Sequence, residues 1–350
     1  MCGWLESGLG RGAADRRIKA FTVHKRVVVI DTGYDSFDQE QAILGASGYS
    51  LDVFPGDRHD WAGKAAFAHG ADGLLVRWTN VNDAFLDIAT TLKAIVRYGV
   101  GYDNIDLAAV TARGIPVCNV QGYANHSVSD HALALIFACV RGLRAGMAGL
   151  RPHYAAAPTF HMPELHELTL GIVGLGRIGG ALCAKARALF GSVVACDPYI
   201  PPTRFSELGV ESFSLERLLD VSDVVSLHCN LTDETHHLID AKALGAMRPN
   251  AILINTARGP VVDEEALTEA LTSGRVFAAG LDVFEDEPPK SNRDEMLAHP
   301  RVVATGHYAW YSQRASRELQ RRAALNLDAL LRGELPEDCL NKNVIRVCSA

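Results

Sequence analysis

Three glycines constrain this chain more than any other feature. Gly174, Gly176 and Gly179 form GxGxxG inside LGIVGLGRIGGAL, directly after the apolar run Leu170 to Val173 and directly before the helical stretch Ile178 to Leu189. In that setting the first glycine permits a tight strand-to-helix turn, the second lets the backbone approach a pyrophosphate, and the third lets helix and strand pack closely. The helix N-terminus then faces the anion. The next apolar strand, Val193 to Cys196, ends at Asp197, at about the 20-residue spacing where a carboxylate reaches the adenosine ribose. An acid there accepts from the 2′-hydroxyl and repels a 2′-phosphate, so the expected cofactor is NAD rather than NADP. Arg177 reads either as a solvated helix residue or as a cation beside the pyrophosphate.

Around this turn, short β-branched runs alternate with longer helical stretches, the pattern of βαβ units on parallel sheets. A length of 350 residues exceeds the roughly 250 to 300 at which one core stops growing, so two domains are expected. In the first, strands are expected at Val27 to Asp31, Leu51 to Phe54, Gly73 to Arg77, Ala94 to Val96 and Pro116 to Val120. The second begins at Leu168 and continues through Ser192 to Cys196, Val224 to Leu227, Ala251 to Asn255, Ala278 to Val283 and Val302 to Thr305. Between them a helix from about Ser127 to Arg144, capped by Asn125 or Ser127, is apolar on every side and should be buried between layers. Residues 145 to 167 read as a surface connection. Near the end, Leu319, Ala323, Leu327 and Leu330 or Leu331 recur at helical spacing until Gly333, which predicts one amphipathic helix.

Several function classes fall away. A net charge of −7 without a long basic block gives nothing to a nucleic-acid backbone. No apolar run reaches the roughly 18 residues of a membrane span, and the first 26 residues, read as an N-terminal extension, carry no secretory signal. Eight cysteines without CxxC spacing resemble core residues of a reducing, cytoplasmic compartment. His131, His161, His166, His236 and His237 lack metal-ligand spacing, so no metal is expected.

NAD chemistry needs a proton carrier and an anchor for substrate charge. Arg258, Glu287 and His307 each follow a strand of the second domain, and ligands of open α/β sheets bind outside the carboxyl ends of strands. A guanidinium fork can hold a carboxylate in two parallel hydrogen bonds. His307 can pass a proton to a carbonyl oxygen, and Glu287 could hold the imidazole and favour its charged form. In the first domain, Gly99, Val100 and Gly101 follow a strand and could offer backbone amides to the same carboxylate. Each residue taken alone also has a plain reading, as solvated loop or ordinary turn.

These segments, RYGVGYDNIDL (97 to 107), TLGIVGLGRIG (169 to 179), SLHCNLTDETHHLI (226 to 239), NTARGPVVDEEAL (255 to 267), GLDVFEDEPP (280 to 289) and TGHYAW (305 to 310), resemble those of the D-isomer-specific 2-hydroxyacid dehydrogenases. The resemblance implies two doubly wound α/β domains, a Rossmann NAD-binding domain (125–305) inserted into a flavodoxin-like substrate domain (27–124 and 306–350), in a homodimer acting on a small 2-oxo or 2-hydroxy acid such as glyoxylate or hydroxypyruvate. It implies catalytic roles for Arg258, Glu287 and His307, and NAD contacts for Gly174, Gly176, Arg177, Ile178, Gly179 and Asp197. Cys229, Thr256, Ala257 and Asp282 fall near the nicotinamide half, and Val100 and Gly101 on the carboxylate-binding loop. AWYSQRAS (309 to 316) looks most like the C-terminal-binding-protein branch, which puts Trp310 either beside the substrate or at a domain edge. That branch keeps open an NAD-sensing interaction protein. A phosphoglycerate dehydrogenase without the extra regulatory domain is a third reading, and would need a further basic anchor, for which Arg97 is the candidate. Gly306, Asn230 and Ser127 depart from the family pattern, and Gly306 is expected to loosen the backbone that aims His307.

Overall fold

A computed structural model describes residues 25–149 and 162–344. Most of the expected N-terminal extension, much of the 145–167 connection, and Cys2, His161 and Cys348 lie outside the described residues.

Two parallel sheets carry the chain. The first contains β1 (Lys25–Val29), β2 (Tyr49–Val53), β3 (Gly73–Val76), β4 (Ala94–Arg97) and β5 (Val117–Cys118), in the order β2-β1-β3-β4-β5. The second contains β6 (Thr169–Val173), β7 (Ser192–Cys196), β8 (Glu211–Ser212), β9 (Val224–Leu227), β10 (Ala251–Asn255), β11 (Val276–Leu281) and β12 (Val302–Ala304), in the order β12-β11-β10-β9-β6-β7-β8. The first order is flavodoxin-like; the second is the dinucleotide-binding order with β12 added at one edge. Strands β3, β9, β10 and β11 are buried along their whole length, as strands covered on both faces must be. The order reverses between β1 and β3 and between β6 and β9, and crevices open there at the carboxyl ends.

The long helix differs from expectation. It runs Asn125–Val140, behind Ala124 and without a side-chain cap. Ser127 is not a cap because its hydroxyl pairs with that of Ser312 at 3.1 Å. Gly142, at φ 57, breaks the helix before residue 144, and a separate short helix, Leu143–Gly149, follows. Burial is confined to one stripe: Val128, Ser129, Ala132, Leu135, Ile136, Cys139 and Val140. That stripe packs on helix Arg177–Ala186 and on β10 and β11, while Phe137 on the outer face is 38% exposed.

The helix Gln313–Leu331 starts at Ser312, whose hydroxyl accepts from Ala315 N at 3.1 Å. Its buried Leu319, Ala323, Leu327 and Leu330 join Val27, Val29, Leu75 and Val96 in one core, so the chain returns to the first sheet. Leu340 N then donates to Val117 O at 2.8 Å and Cys339 bridges Cys118 antiparallel, extending that sheet at its β5 edge. Among the described residues no helix is long and apolar enough to cross a membrane.

Candidate active site

The glycine turn joins β6 to helix Arg177–Ala186. Gly174 sits at φ 89, and a Cβ there would lie 2.7 Å from Cys229 N; a Cβ on Gly179 would lie 2.0 Å from Gly174 O. Only glycine allows both approaches. Gly176, by contrast, has open space where its Cβ would stand, so its backbone is bare toward the crevice. Asp197, at the end of β7, accepts from Leu175 N at 2.8 Å and from Tyr199 N at 3.0 Å, which ties the acid to the turn. Arg177 is exposed, and its guanidinium contacts the Gln121 side chain, which follows β5 of the first sheet. Ile178 packs with Ala124, Val128 and Ala309 below the turn.

On the other side of β6, Cys229 is half-buried, and burial pushes its thiol up to about 11. Thr256 and Ala257 are buried at the end of β10, and among the described residues the Thr256 hydroxyl has no hydrogen-bond partner. Bare backbone at Gly176, an orphaned hydroxyl at Thr256 and a carboxylate at the β7 end suit a dinucleotide laid across the crevice. Asp282 is 1% exposed and already engaged. Its Oδ1 accepts from Thr305 Oγ1 at 2.6 Å and Tyr308 N at 3.1 Å, and its Oδ2 from Ala309 N at 2.9 Å. Its chief work is therefore to hold the loop carrying His307.

That loop is strained. His307 lies at φ 54, a left-handed value that non-glycine residues adopt when their surroundings impose it. The imposing contact is His307 N to Asp282 O at 2.7 Å. Gly306 is not left-handed and has open space around it, so the expected loosening is offset by the Asp282 contacts. His307 Nδ1 lies 2.5 Å from Glu287 Oε2, while Glu287 Oε1 accepts from Phe284 N at 3.2 Å.

Arg258 occupies the turn after β10. Asn255 builds that turn, donating to Arg258 O at 2.8 Å and accepting from Ala257 N at 3.0 Å. A Cβ on Gly259 would lie 1.8 Å from Phe284 C, so the Arg258 turn backs directly onto the Glu287 turn. The expected free fork is partly engaged. Arg258 Nε donates to Asp103 Oδ1 at 2.9 Å and Nη1 to Ala257 O at 2.8 Å, which leaves Nη2 as the open end. Nη2 would overlap a Cβ on Gly101, at 1.5 Å. Among the described residues the N–H groups of Val100 and Gly101 have no protein acceptor, although Val100 O accepts from Asn119 Nδ2 at 2.6 Å. Burial alone would raise the Asp103 carboxyl, but the charge and hydrogen bond of Arg258 hold it below its ordinary value.

Trp310 is half-buried, 6.4 Å from the Tyr123 ring, with the Arg77 guanidinium 4.5 Å above it. Asp103, Arg77 and Tyr123 were not among the residues singled out in the sequence. Asp103 lay inside the RYGVGYDNIDL segment, and Arg77 at a strand end, the position that drew attention to Arg258.

Residues 133–309 match the family model described as "D-isomer specific 2-hydroxyacid dehydrogenase, NAD binding domain". A D-3-phosphoglycerate dehydrogenase of Mycobacterium bovis is 42% identical over 272 residues, 77% of this chain and 51% of that protein, so the chain spans about half the length of this relative. A glyoxylate reductase of Korarchaeum cryptofilum is 39% identical over 79% of this chain and 84% of its own length. Among solved structures, a D-lactate dehydrogenase from Aquifex aeolicus complexed with NAD and lactic acid superposes with a TM-score of 0.82 at 27% identity, covering 90% of this chain and 99% of that one.

Proposed function

Because the chain belongs to the D-isomer specific 2-hydroxyacid dehydrogenase family, we propose that it interconverts a small 2-oxo acid and the corresponding D-2-hydroxy acid with NAD. The observation that carries this reading is the His307–Glu287 pair at 2.5 Å, back to back with an Arg258 whose open end lies over unpaired loop amides. Relatives named glyoxylate reductase and D-lactate dehydrogenase support a substrate of this kind.

The substrate carboxylate is received by the N–H groups of Val100 and Gly101 and by Arg258 Nη2, with Asp103 keeping the guanidinium in place. Glu287 takes up Nδ1 of His307, which leaves Nε2 to give a proton to the carbonyl oxygen or accept one from the hydroxyl. The Gly174–Gly179 turn and its helix N-terminus receive the pyrophosphate, assisted by Arg177, and Asp197 the ribose. Cys229, Thr256, Ala257 and Asp282 border the nicotinamide half. Bound NAD supplies the hydride acceptor, or NADH the donor, at the substrate's second carbon. Trp310 forms a wall of the substrate pocket, the alternative of a mere domain edge being disfavoured by its contact with Arg77.

In the same reading, residues 27–124 and 306–350 make the substrate domain, reaching back to Lys25 through β1, and 125–305 the NAD domain. A homodimer would cover the outer face of helix Asn125–Val140 and the short helix Leu143–Gly149 after it, where Phe137, Leu143 and Met147 are 38%, 51% and 79% exposed. Six free thiols among the described residues suit a reducing, cytoplasmic setting. The decisive test is NADH oxidation by the purified protein over a panel of 2-oxo acids. NADH binding without turnover of any of them would overturn the proposal.

A further inference from the structure

We infer that His131, on helix Asn125–Val140, is a positioning residue for the reaction: through Thr305 and Asp282 it fixes the strained loop that aims the His307 imidazole. The inference rests on the dehydrogenase reading of the cleft.

The helix meets that loop along one face. Ser127 and His131 stand one turn apart and so share a side of the helix. Ser127 Oγ lies 3.1 Å from Ser312 Oγ, and His131 Nε2 lies 2.9 Å from Thr305 Oγ1. Between them Val128 packs with Ala309, and the His131 ring meets the Tyr308 ring edge to face at 5.2 Å. Thr305, Tyr308, Ala309 and Ser312 bracket His307 on both sides, so this helix grips the loop before and after the proton carrier.

The hydrogen bonds run in one direction only. Both Asp282 oxygens accept from backbone N–H groups, and Thr305 Oγ1, 2.6 Å from Oδ1, gives the carboxylate its single hydrogen. His131 Nε2 must therefore carry a hydrogen and donate it to Thr305 Oγ1. A donor behind a hydroxyl strengthens the bond that the hydroxyl itself gives. Nε2 also lies 3.6 Å from Asp282 Oδ1, and among the described residues no lysine or arginine pairs with this buried carboxylate, so the imidazole is its one basic neighbour. A histidine that merely filled space beside the loop would need neither a particular protonated nitrogen nor a carboxylate within reach.

Asp282 in turn carries the loop. Its carboxylate holds Tyr308 N and Ala309 N, and its backbone oxygen holds His307 N at 2.7 Å. Those bonds keep His307 at φ 54, where a non-glycine residue stays only while its surroundings compel it. Without the His131 donor the Thr305 hydroxyl loses a partner and its bond to Asp282 weakens. His307 then relaxes toward an ordinary φ, which turns Nδ1 away from Glu287 and Nε2 away from the substrate carbonyl. A displacement of about 1 Å in such a group costs up to about 100-fold in rate.

The test is a set of variants compared by steady-state NADH oxidation with whichever of glyoxylate, pyruvate and hydroxypyruvate the wild type reduces fastest. His131→Leu removes the donor and should lower kcat about 10-fold or more, with KM for the acid and NADH affinity within about twofold. His131→Gln, whose amide nitrogen reaches the place of Nε2, should recover most of that loss. Thr305→Val should match His131→Leu, and the double variant should be slower than neither single by more than about twofold, because both act through one chain of bonds. If thermal melting shows that His131→Leu does not fold, His131→Asn, whose amide falls short of Thr305, takes its place. An unmoved kcat, a loss that Gln does not recover, or losses that multiply in the double variant overturns the inference. If the wild type reduces no acid, the dehydrogenase reading fails instead, and hydrogen exchange still decides the role of His131. The amides of His307, Tyr308 and Ala309 should exchange about 10-fold faster in His131→Leu and Thr305→Val, and near the wild-type rate in His131→Gln. Equal protection in every variant overturns it.

Discussion

Glu287 Oε2 lies 2.5 Å from His307 Nδ1, and its other oxygen is fixed by Phe284 N. The carboxylate therefore cannot rotate away, and the imidazole is oriented through a residue that is itself anchored to the backbone. This is the arrangement in which a second group sets which ring nitrogen carries the proton. His307→Ala should lower kcat by about two to four orders of magnitude, the usual worth of a positioned proton donor. Glu287→Gln should lower it less, by about 10- to 100-fold, because the amide can still hold the ring but loses the charge. NADH affinity, read by fluorescence, should be unchanged in both. Wild-type turnover in His307→Ala would remove the histidine from the mechanism.

Asp103 and Arg258 come from different sheets and meet at 2.9 Å. Asp103→Ala frees Arg258 Nε and lets the guanidinium leave Gly101, so KM for the acid should rise by about 10-fold with a smaller change in kcat. Arg258→Lys should raise KM further, by about 100-fold, because an ammonium cannot serve Asp103 and the substrate in one plane. The measurement is steady-state kinetics at saturating NADH. A KM unmoved by Asp103→Ala would show that the pair does not position the arginine.

The loop that carries Arg77 hangs on one buried acid. Asp31 Oδ2 accepts from the backbone N–H groups of Arg77, Trp78 and Thr79 at 2.8, 2.9 and 3.0 Å, and Oδ1 accepts from Lys64 Nζ at 2.7 Å and Thr79 Oγ1 at 2.6 Å. Burial alone would raise this carboxyl, but Lys64, Thr79 and the amides outweigh it and its pKa lies below the ordinary value. A depressed acid contributes stability that is present above its unfolded pKa and lost as pH falls through the folded one. Asp31→Ala leaves Lys64 buried without its partner and should cost about 3–5 kcal/mol at pH 7 in urea unfolding. The gap between wild type and variant should narrow below about pH 4. A gap that does not change with pH would mean that charge is not what the site uses.

How much of this was readable beforehand depends on the range of the interactions. Strands β9, β10 and β11 are buried on both faces, so their composition alone marked them, and Arg258 and Glu287 stood out because each follows such a strand, whereas His307 follows the partly buried edge strand β12. The strand Glu211–Ser212 is two exposed edge residues and carries no apolar signal. The start of helix Asn125–Val140 was misread because Ser127, a good local cap, instead bonds Ser312 far along the chain. Asp103 and Arg77 escaped for the same reason. A carboxylate in a loop and an arginine at a strand end acquire a role only when the second sheet presents Arg258 to one and the segment after His307 presents Trp310 to the other.

The two later glycines of the turn have separable tasks, which allows cofactor binding to be divided from folding. A Cβ on Gly179 would lie 2.0 Å from the backbone oxygen of Gly174, which cannot yield without opening the turn. Gly179→Ala should therefore destabilise the fold by about 1–3 kcal/mol, as overpacking does, and lower Tm whether or not NADH is present. Gly176 sits at φ −67, a value any residue adopts, with open space where its Cβ would go. Gly176→Ala should melt within a degree or two of wild type, yet bind NADH at least about 10-fold more weakly, because its methyl stands where backbone and pyrophosphate would meet. Thermal melting without ligand and NADH titration by fluorescence make the comparison. Normal NADH affinity in Gly176→Ala would place the pyrophosphate elsewhere on the crevice.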